Sequence, residues 1–166
     1  LLFSRQDPQI FGSLDHPQKR PIFVVDTITS INNLTGLAEC FGKSQGLQER
    51  CNLILLSSKL HPDQAINREE AEEIQKLYDI IDRYDLNGKI RWVGMRIPSN
   101  ELGEAYRVVA DYQGIYIHFA HFESFGRSIL EAMISGLPTF TTQFGGSSEI
   151  IENQEDGFNV NPTDLE

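Results

Sequence analysis

Short apolar runs alternate along the chain with stretches in which apolar residues recur at helical spacing. The apolar runs predict strands at 21–25, 53–56, 89–93, 115–119, 138–142 and 157–160. Helical spacing predicts helices at 34–41, 67–81, 101–110 and 127–134, with a short one at 149–151. Runs that are apolar on both faces are typical of buried parallel strands. Alternation with helices therefore predicts an α/β fold, a Rossmann-like doubly wound parallel sheet with right-handed crossovers.

Proline and glycine mark the boundaries of this pattern. Residues 1–20 contain Pro8, Gly12 and Pro17 without sustained periodicity, which predicts a linker or irregular lead-in segment before a domain at 21–162. Gly42 is expected to stop the first helix, and Asn67 with Glu70 to cap the long one.

Composition narrows the function classes. A chain of 166 residues suits one domain, and a formal net charge of -10 makes nucleic acid and anionic membrane surfaces unsuitable partners. No apolar run approaches the length of a membrane span.

Cys40 and Cys51 lack metal-ligand spacing and indicate free, partly buried thiols in a reducing compartment such as the cytoplasm; a disulfide is the alternative. The chain starts at a leucine, so we expect a piece of a longer protein.

Two carboxylates eight positions apart dominate the candidate chemistry. Glu123 falls in a loop between a strand and a helix, and Glu131 in the second turn of that helix. Such loops lie at the carboxyl edge of an open α/β sheet, where ligands bind, and free N–H groups at a helix start favour an anion. An alternative is a capping box from Ser128 to Glu131 that only satisfies backbone donors. Both interpretations fit the spacing.

Three neighbouring features have a functional and a structural interpretation. His118 and His121 flank the motif and are interpreted as packed or partly exposed side chains. Arg127 is expected either to contact an anion or to lie in solvent. Gly145 and Gly146 predict a second phosphate-side loop, with an ordinary N-cap loop as the alternative.

The paired glutamates resemble the motif of retaining, nucleotide-sugar-dependent glycosyltransferases with two Rossmann-like domains, the GT-B architecture. Further matching runs occur in order along residues 1–162, namely Asn33-Leu34-Thr35-Gly36-Leu37, Arg91-Trp92-Val93, Gly103-Glu104-Ala105-Tyr106-Arg107, Ser135-Gly136-Leu137-Pro138-Thr139-Phe140 and Gly145-Gly146-Ser147-Ser148-Glu149-Ile150-Ile151. Together they resemble the C-terminal half of the glycosyltransferase domain of the sucrose synthase family.

The resemblance implies one half of a GT-B enzyme that holds UDP or UDP-glucose as substrate, with no metal and no cofactor. The implied reaction is a reversible transfer of glucose between UDP and fructose with retention. Glu123 then is the catalytic residue that faces the donor sugar, and Glu131 accepts hydrogen bonds from the ribose. Backbone N–H groups of Phe125, Gly126 and Arg127 meet the diphosphate. The implied partner is an N-terminal acceptor domain of the same longer chain, without which this piece is inactive; a homo-oligomer of the full protein stays open.

The chain departs from the family pattern where charge matters most. The family's first loop carries an arginine and, five residues on, a lysine aimed at the diphosphate; here those positions are Thr27 and Asn32, beside Asp26. Arg96 stands at the position of the base-contacting glutamine, and Leu102 at that of a nearby asparagine. Two other hypotheses follow, a degenerate non-catalytic binding or regulatory module and a glycosyltransferase with another donor or acceptor.

Overall fold

The protein, described from a computed structural model at residues 2–4 and 6–164, is built around one seven-stranded sheet in that part of the chain. The strands are β1 (Ile10–Phe11), β2 (Arg20–Val25), β3 (Cys51–Ser57), β4 (Ile90–Gly94), β5 (Ile115–His118), β6 (Thr139–Thr142) and β7 (Phe158–Val160). Their order across the sheet is β1-β4-β3-β2-β5-β6-β7. All pairs are parallel except β1 with β4. The predicted doubly wound α/β fold is confirmed.

Helices cover both faces of this sheet. They are α1 (Leu34–Lys43), α2 (Gln45–Arg50), α3 (Arg68–Arg83), α4 (Ser99–Asp111), α5 (Arg127–Ile134) and α6 (Ser147–Ile150), with a 3-10 turn at Pro62–Gln64. Within β3, Leu53 and Leu55 pack against the α1 and α3 side, whereas Ile54 and Leu56 pack against the α4 and α5 side. Burial on both faces explains why the strands read as continuous apolar runs.

Two local predictions need correction, and one helix was missed. The predicted linker at 1–20, of which Leu1 and Arg5 lie outside the described residues, contributes strand β1 to the sheet edge. Gly42 does not end α1 but lies within it. A glycine fits there because a Cβ would approach the ring of Tyr84 to 2.5 Å. Helix α2 was not predicted. By contrast, the Asn67 cap is confirmed, since its side chain accepts the N–H of Glu70 at 2.8 Å.

Cys40 and Cys51 are half-buried free thiols, and burial raises the pKa of both. Within the described ranges, no helix has the length and apolar character that crossing a membrane requires.

The strand order places a crevice between β2 and β5. From β2 the chain winds outward through β3 and β4, and it then returns to β5 and winds the other way through β6 and β7. Connections that leave neighbouring strands in opposite directions open a gap at the carboxyl ends, which is the common ligand site of such sheets.

Candidate functional site

A cleft of about 500 Å³ opens at this switch point. That volume lies within the roughly 300–1,000 Å³ typical of small-molecule sites. Its lining residues lie at the carboxyl ends of β2, β3 and β5, in the loops after β2 to β5, or in α4 and α5: Val25, Asp26, Thr27, Leu56, Ser57, Ser58, Met95, Arg96, Ile97, Ser99, Leu102, His118, Glu123, Phe125, Gly126, Arg127, Ser128 and Glu131. The predicted placement of Glu123 and Glu131 in one cleft is therefore confirmed. Over residues 2–4 and 6–164 there is no group of three metal-ligating side chains suited to an ion.

Glu123 folds back onto the start of α5. Its Oε1 accepts the backbone N–H of Phe125 at 2.8 Å and that of Gly126 at 2.9 Å. Gly126, at φ 81°, is the N-cap residue and adopts the left-handed conformation that glycine tolerates. Two of the N–H groups predicted to meet a diphosphate, those of Phe125 and Gly126, thus donate to the protein's own carboxylate, and their contact with a diphosphate stays a prediction.

His118 holds the other oxygen of the same carboxylate. Its Nε2 lies 2.8 Å from Oε2 of Glu123 and 3.3 Å from Oδ2 of Asp26. The residue is 1% exposed, and its Nδ1 has no hydrogen-bond partner among the described residues. The sequence interpretation of His118 as a merely packed side chain missed this bridge. The only sequence signal was its position at the end of the strand before the motif.

These contacts set the ionisation of Glu123. Burial raises the pKa of this carboxyl, but the N–H groups of Phe125 and Gly126 and the charge of His118 outweigh burial and hold the pKa below its ordinary value. Hydrogen bonds to the charged form stabilise that form. Glu123 is therefore an ionised acceptor at neutral pH.

Glu131 pairs with Arg127 on the cleft side of α5. Its Oε1 accepts from Nε of Arg127 at 2.9 Å, one helical turn away. The capping-box alternative is wrong, because Gly126 is the N-cap residue and Ser128 already lies inside the helix. Behind this pair lies the buried hydroxyl of Tyr106, and burial together with the nearby carboxylate of Glu131 raises the pKa of Tyr106. Sequence reasoning missed Tyr106 as a neighbour of Glu131.

The first loop forms a closed network of neutral and acidic groups. The amide of Asn32 donates to Oδ1 of Asp26 at 2.6 Å and to Oγ1 of Thr27 at 2.7 Å. Asp26 also accepts the N–H of Thr27 at 2.8 Å. Asp26 and Thr27 line the cleft, whereas Asn32 lies behind them and ties them together.

The Asn33-Leu34-Thr35-Gly36 run connects this loop to the motif loop. Asn33, at φ 55°, precedes α1 and donates its side-chain amide to the carbonyl of Phe119 at 3.2 Å. A Cβ at Gly36 would lie 2.2 Å from Oδ1 of Asn33, so glycine makes room for that side chain. The run therefore fixes the two loops relative to each other.

Gly145 and Gly146 support the motif loop from behind. The N–H of Gly146 donates to the carbonyl of Glu123 at 2.7 Å, and the N–H of Glu123 donates to the carbonyl of Phe144 at 3.1 Å. A Cβ at Gly145 would lie 2.0 Å from the carbonyl oxygen of Glu123. The pair thus permits close packing of two loops, and its predicted phosphate-side role stays a prediction.

Two arginines line the cleft. Arg127 is engaged by Glu131, whereas Arg96 is exposed and makes no ion pair within the described part of the chain. Leu102 also lines the cleft, as do two other departures from the family pattern, Arg96 and Thr27.

Comparison with known proteins agrees with this architecture. The model of the family described as glycosyl transferases group 1 matches residues 6–166. A sucrose synthase from Thermosynechococcus vestitus is 58% identical over 167 residues, which span 100% of this chain and 21% of that protein. Sucrose synthase 2 from Arabidopsis thaliana is 40% identical over 163 residues, 98% of this chain and 20% of that protein. The chain thus spans only about a fifth of the length of these relatives.

Solved structures show the same fold. A sucrose-phosphate synthase from Thermosynechococcus elongatus superimposes with a TM-score of 0.71 at 21% identity, over 90% of this chain and 34% of that one. Alr3699/HepE from Anabaena, crystallised with UDP and glucose, gives a TM-score of 0.70 at 20% identity, over 90% of this chain and 36% of that one. The chain therefore belongs to the glycosyl transferases group 1 family and, within it, is similar to the sucrose synthases.

Proposed function

We propose that this domain binds UDP or UDP-glucose as the donor half of a sucrose-synthase-like retaining glycosyltransferase. The observation that supports the proposal most is the meeting of Glu123 and Glu131 in one cleft at the switch point of the sheet. Transfer of glucose between UDP and fructose then requires an acceptor half elsewhere in a longer protein, because this chain provides one wall of the reaction site. A cytoplasmic location remains a prediction.

Each proposed contact has a physical basis. An ionised Glu131 accepts from the two vicinal ribose hydroxyls, and such charge-assisted bonds are stronger than neutral ones. This requires Glu131 to share or release Arg127, which becomes available for the diphosphate one turn away. Arg96 is the second cation at the cleft. Glu123, at the base of the cleft, faces the donor sugar.

A degenerate, non-catalytic binding or regulatory module is the second candidate. The observation that favours it is the first loop, where Asp26, Thr27 and Asn32 bond to one another and offer no positive charge. Transfer needs charge stabilisation on the departing diphosphate. A glycosyltransferase with another donor or acceptor would explain the same loop as adaptation.

The substitution Glu131→Ala tests the ribose contact. We expect weak binding of UDP by the unmodified protein, with uridine preferred over 2′-deoxyuridine. The variant should lose about tenfold in affinity for uridine and UDP alike, since one charge-assisted hydrogen bond is worth roughly 1.5–3 kcal/mol. It should also lose the ribose preference. NMR titration measures the affinities of both proteins for UDP, uridine and 2′-deoxyuridine.

Glu155→Ala is the matched control, because Glu155 is exposed on the loop before β7. Equal affinity of the unmodified protein for uridine and 2′-deoxyuridine would contradict the role of Glu131. The affinities for UDP and for uridine separate the two candidate functions. A higher affinity for UDP supports a donor site, and equal affinities support the degenerate module.

A further inference from the structure

The backbone N–H pair at the start of α5 already carries an anion. Both N–H groups, from Phe125 and Gly126, point to a single oxygen of Glu123 at 2.8 and 2.9 Å. A phosphate oxygen makes the same contact at a helix start, since it too is an anionic acceptor. Within the cleft, the carboxylate of Glu123 thus occupies the place that the backbone offers to a phosphate.

Glu123 is held there from a second side. Nε2 of the buried His118 contacts its other oxygen at 2.8 Å, and Asp26 contacts the same nitrogen at 3.3 Å. These three charged or titratable groups come from the ends of β2 and β5 and from the motif loop. His118 lines the cleft and leaves its buried Nδ1 without a partner in the described residues. The inner end of the cleft is therefore a packed charge cluster that already contains its own anion.

We propose that Glu123 is the internal occupant of the anion site at the start of α5, and that an incoming phosphate group binds there only by displacing this carboxylate. The inference deepens the proposed function and rests on the cleft receiving a phosphorylated ligand. No bond is made or broken in the exchange; one oxygen anion replaces another on the two N–H groups. The displaced carboxylate turns toward the cleft, where the proposed donor sugar would lie.

Competition of this kind lowers the affinity for phosphate. An incoming anion must replace two charge-assisted hydrogen bonds, and it enters a cluster that contains Asp26 as well as Glu123. Charge-assisted bonds are about twice as strong as neutral ones. Neutralising Glu123 while keeping its shape should therefore free the N–H pair and remove one repulsive charge.

The test compares pyrophosphate binding by the unmodified protein and by Glu123→Gln. Pyrophosphate is used because it carries neither ribose nor sugar. We expect Glu123→Gln to bind it about tenfold more tightly or better, the equivalent of about 1.4 kcal/mol. The control, Glu155→Gln, removes the same charge from the exposed loop before β7 and should leave the affinity unchanged. Weaker, equal or absent binding in Glu123→Gln would overturn the proposal.

A second measurement uses the unmodified protein and so does not depend on the folding of a variant. Pyrophosphate at high concentration should shift the backbone amide signals of Phe125 and Gly126 and the side-chain carboxyl signal of Glu123 together, with one midpoint. Amide shifts without a shift of the Glu123 carboxyl would overturn displacement. Failure of the proposed function would give a different result. Pyrophosphate would still displace Glu123, but the preference for uridine over 2′-deoxyuridine would be absent.

Discussion

Two loops at the same edge of the sheet differ in how they can meet an anion. The loop after β5 presents backbone N–H groups at the start of α5, held open by Gly126 at φ 81°. The loop after β2 presents side chains, and these are the neutral Thr27 and Asn32 beside the acidic Asp26. Each loop also contributes one carboxylate to His118.

The difference separates backbone recognition from side-chain recognition. Anion binding by N–H groups depends on loop conformation and survives many side-chain changes, as long as glycines keep the loop in place. Anion binding by a basic pair disappears with two substitutions. In this domain the loop after β5 has the N–H pair at a helix start, whereas the loop after β2 has no basic pair, so the two loops have different sensitivity to sequence.

The largest expected effect comes from breaking the support of the β5 loop. Gly145→Ala places a Cβ 2.0 Å from the carbonyl oxygen of Glu123, at a φ of +99° that alanine disfavours. Overpacking and backbone strain each cost roughly 1–3 kcal/mol. The free energy of unfolding, measured by urea titration, should fall by about 2–5 kcal/mol.

Gly46→Ala is the control for this change. Gly46 lies in α2, where an added Cβ meets nothing within 4 Å. Alanine should be neutral or should stabilise the helix by about 0.5–1 kcal/mol. Equal effects of the two substitutions would show that the β5 loop tolerates displacement and that the close packing of Gly145 is not required.

The second-largest expected effect comes from giving the loop after β2 positive side chains, so that both loops can bind an anion. Thr27→Arg with Asn32→Lys restores a basic pair, and affinity for UDP should rise by at least about tenfold, or 1.4 kcal/mol. The full value of two charge-assisted bonds, roughly 3–6 kcal/mol, is not expected, because Asp26 partly neutralises the new cations. Added salt should reduce the gain. Calorimetric titration with UDP measures it.

Glu152→Gln with Glu155→Gln changes the net charge by the same two units on an exposed loop and is the matched control. An equal gain in the control would assign the effect to overall charge. Micromolar binding by the unmodified protein, unchanged in the double variant, would show that other groups hold the diphosphate and would contradict the degenerate-module hypothesis.

The smallest effect concerns pH and the β5 loop alone. The pKa of Glu123 is lowered from 4.5 in the folded protein. Its carboxylate therefore stabilises the fold fully above the unfolded-state pKa, and this contribution is lost as pH falls through the folded-state pKa. As pH falls from neutral through the folded-state pKa, the unmodified protein should lose more stability than Glu123→Gln. Parallel stability profiles in urea titrations would contradict this coupling.

Local sequence patterns determined the elements and the identity of the motif. The apolar runs located β2 to β7, because a strand buried on both faces must be apolar throughout. Asn67 and Glu70 marked the start of α3, because capping depends on residues three positions apart. The spacing of Glu123 and Glu131 around a strand-to-helix loop was enough to place both in one cleft.

Only the tertiary structure decided what these residues contact. Asp26 and His118 meet because β2 pairs with β5, and no local pattern specifies that pairing. Strand β1 was missed because two residues are too short for any periodicity, and their strand partner is β4. The sequence shows that Gly145 and Gly146 have conformational freedom, but only the fold shows that the backbone of Glu123 packs against them and requires it. The strands and helices are determined by residues that are neighbours along the chain. The charge cluster of Asp26, His118 and Glu123 is determined by strands that meet only after folding.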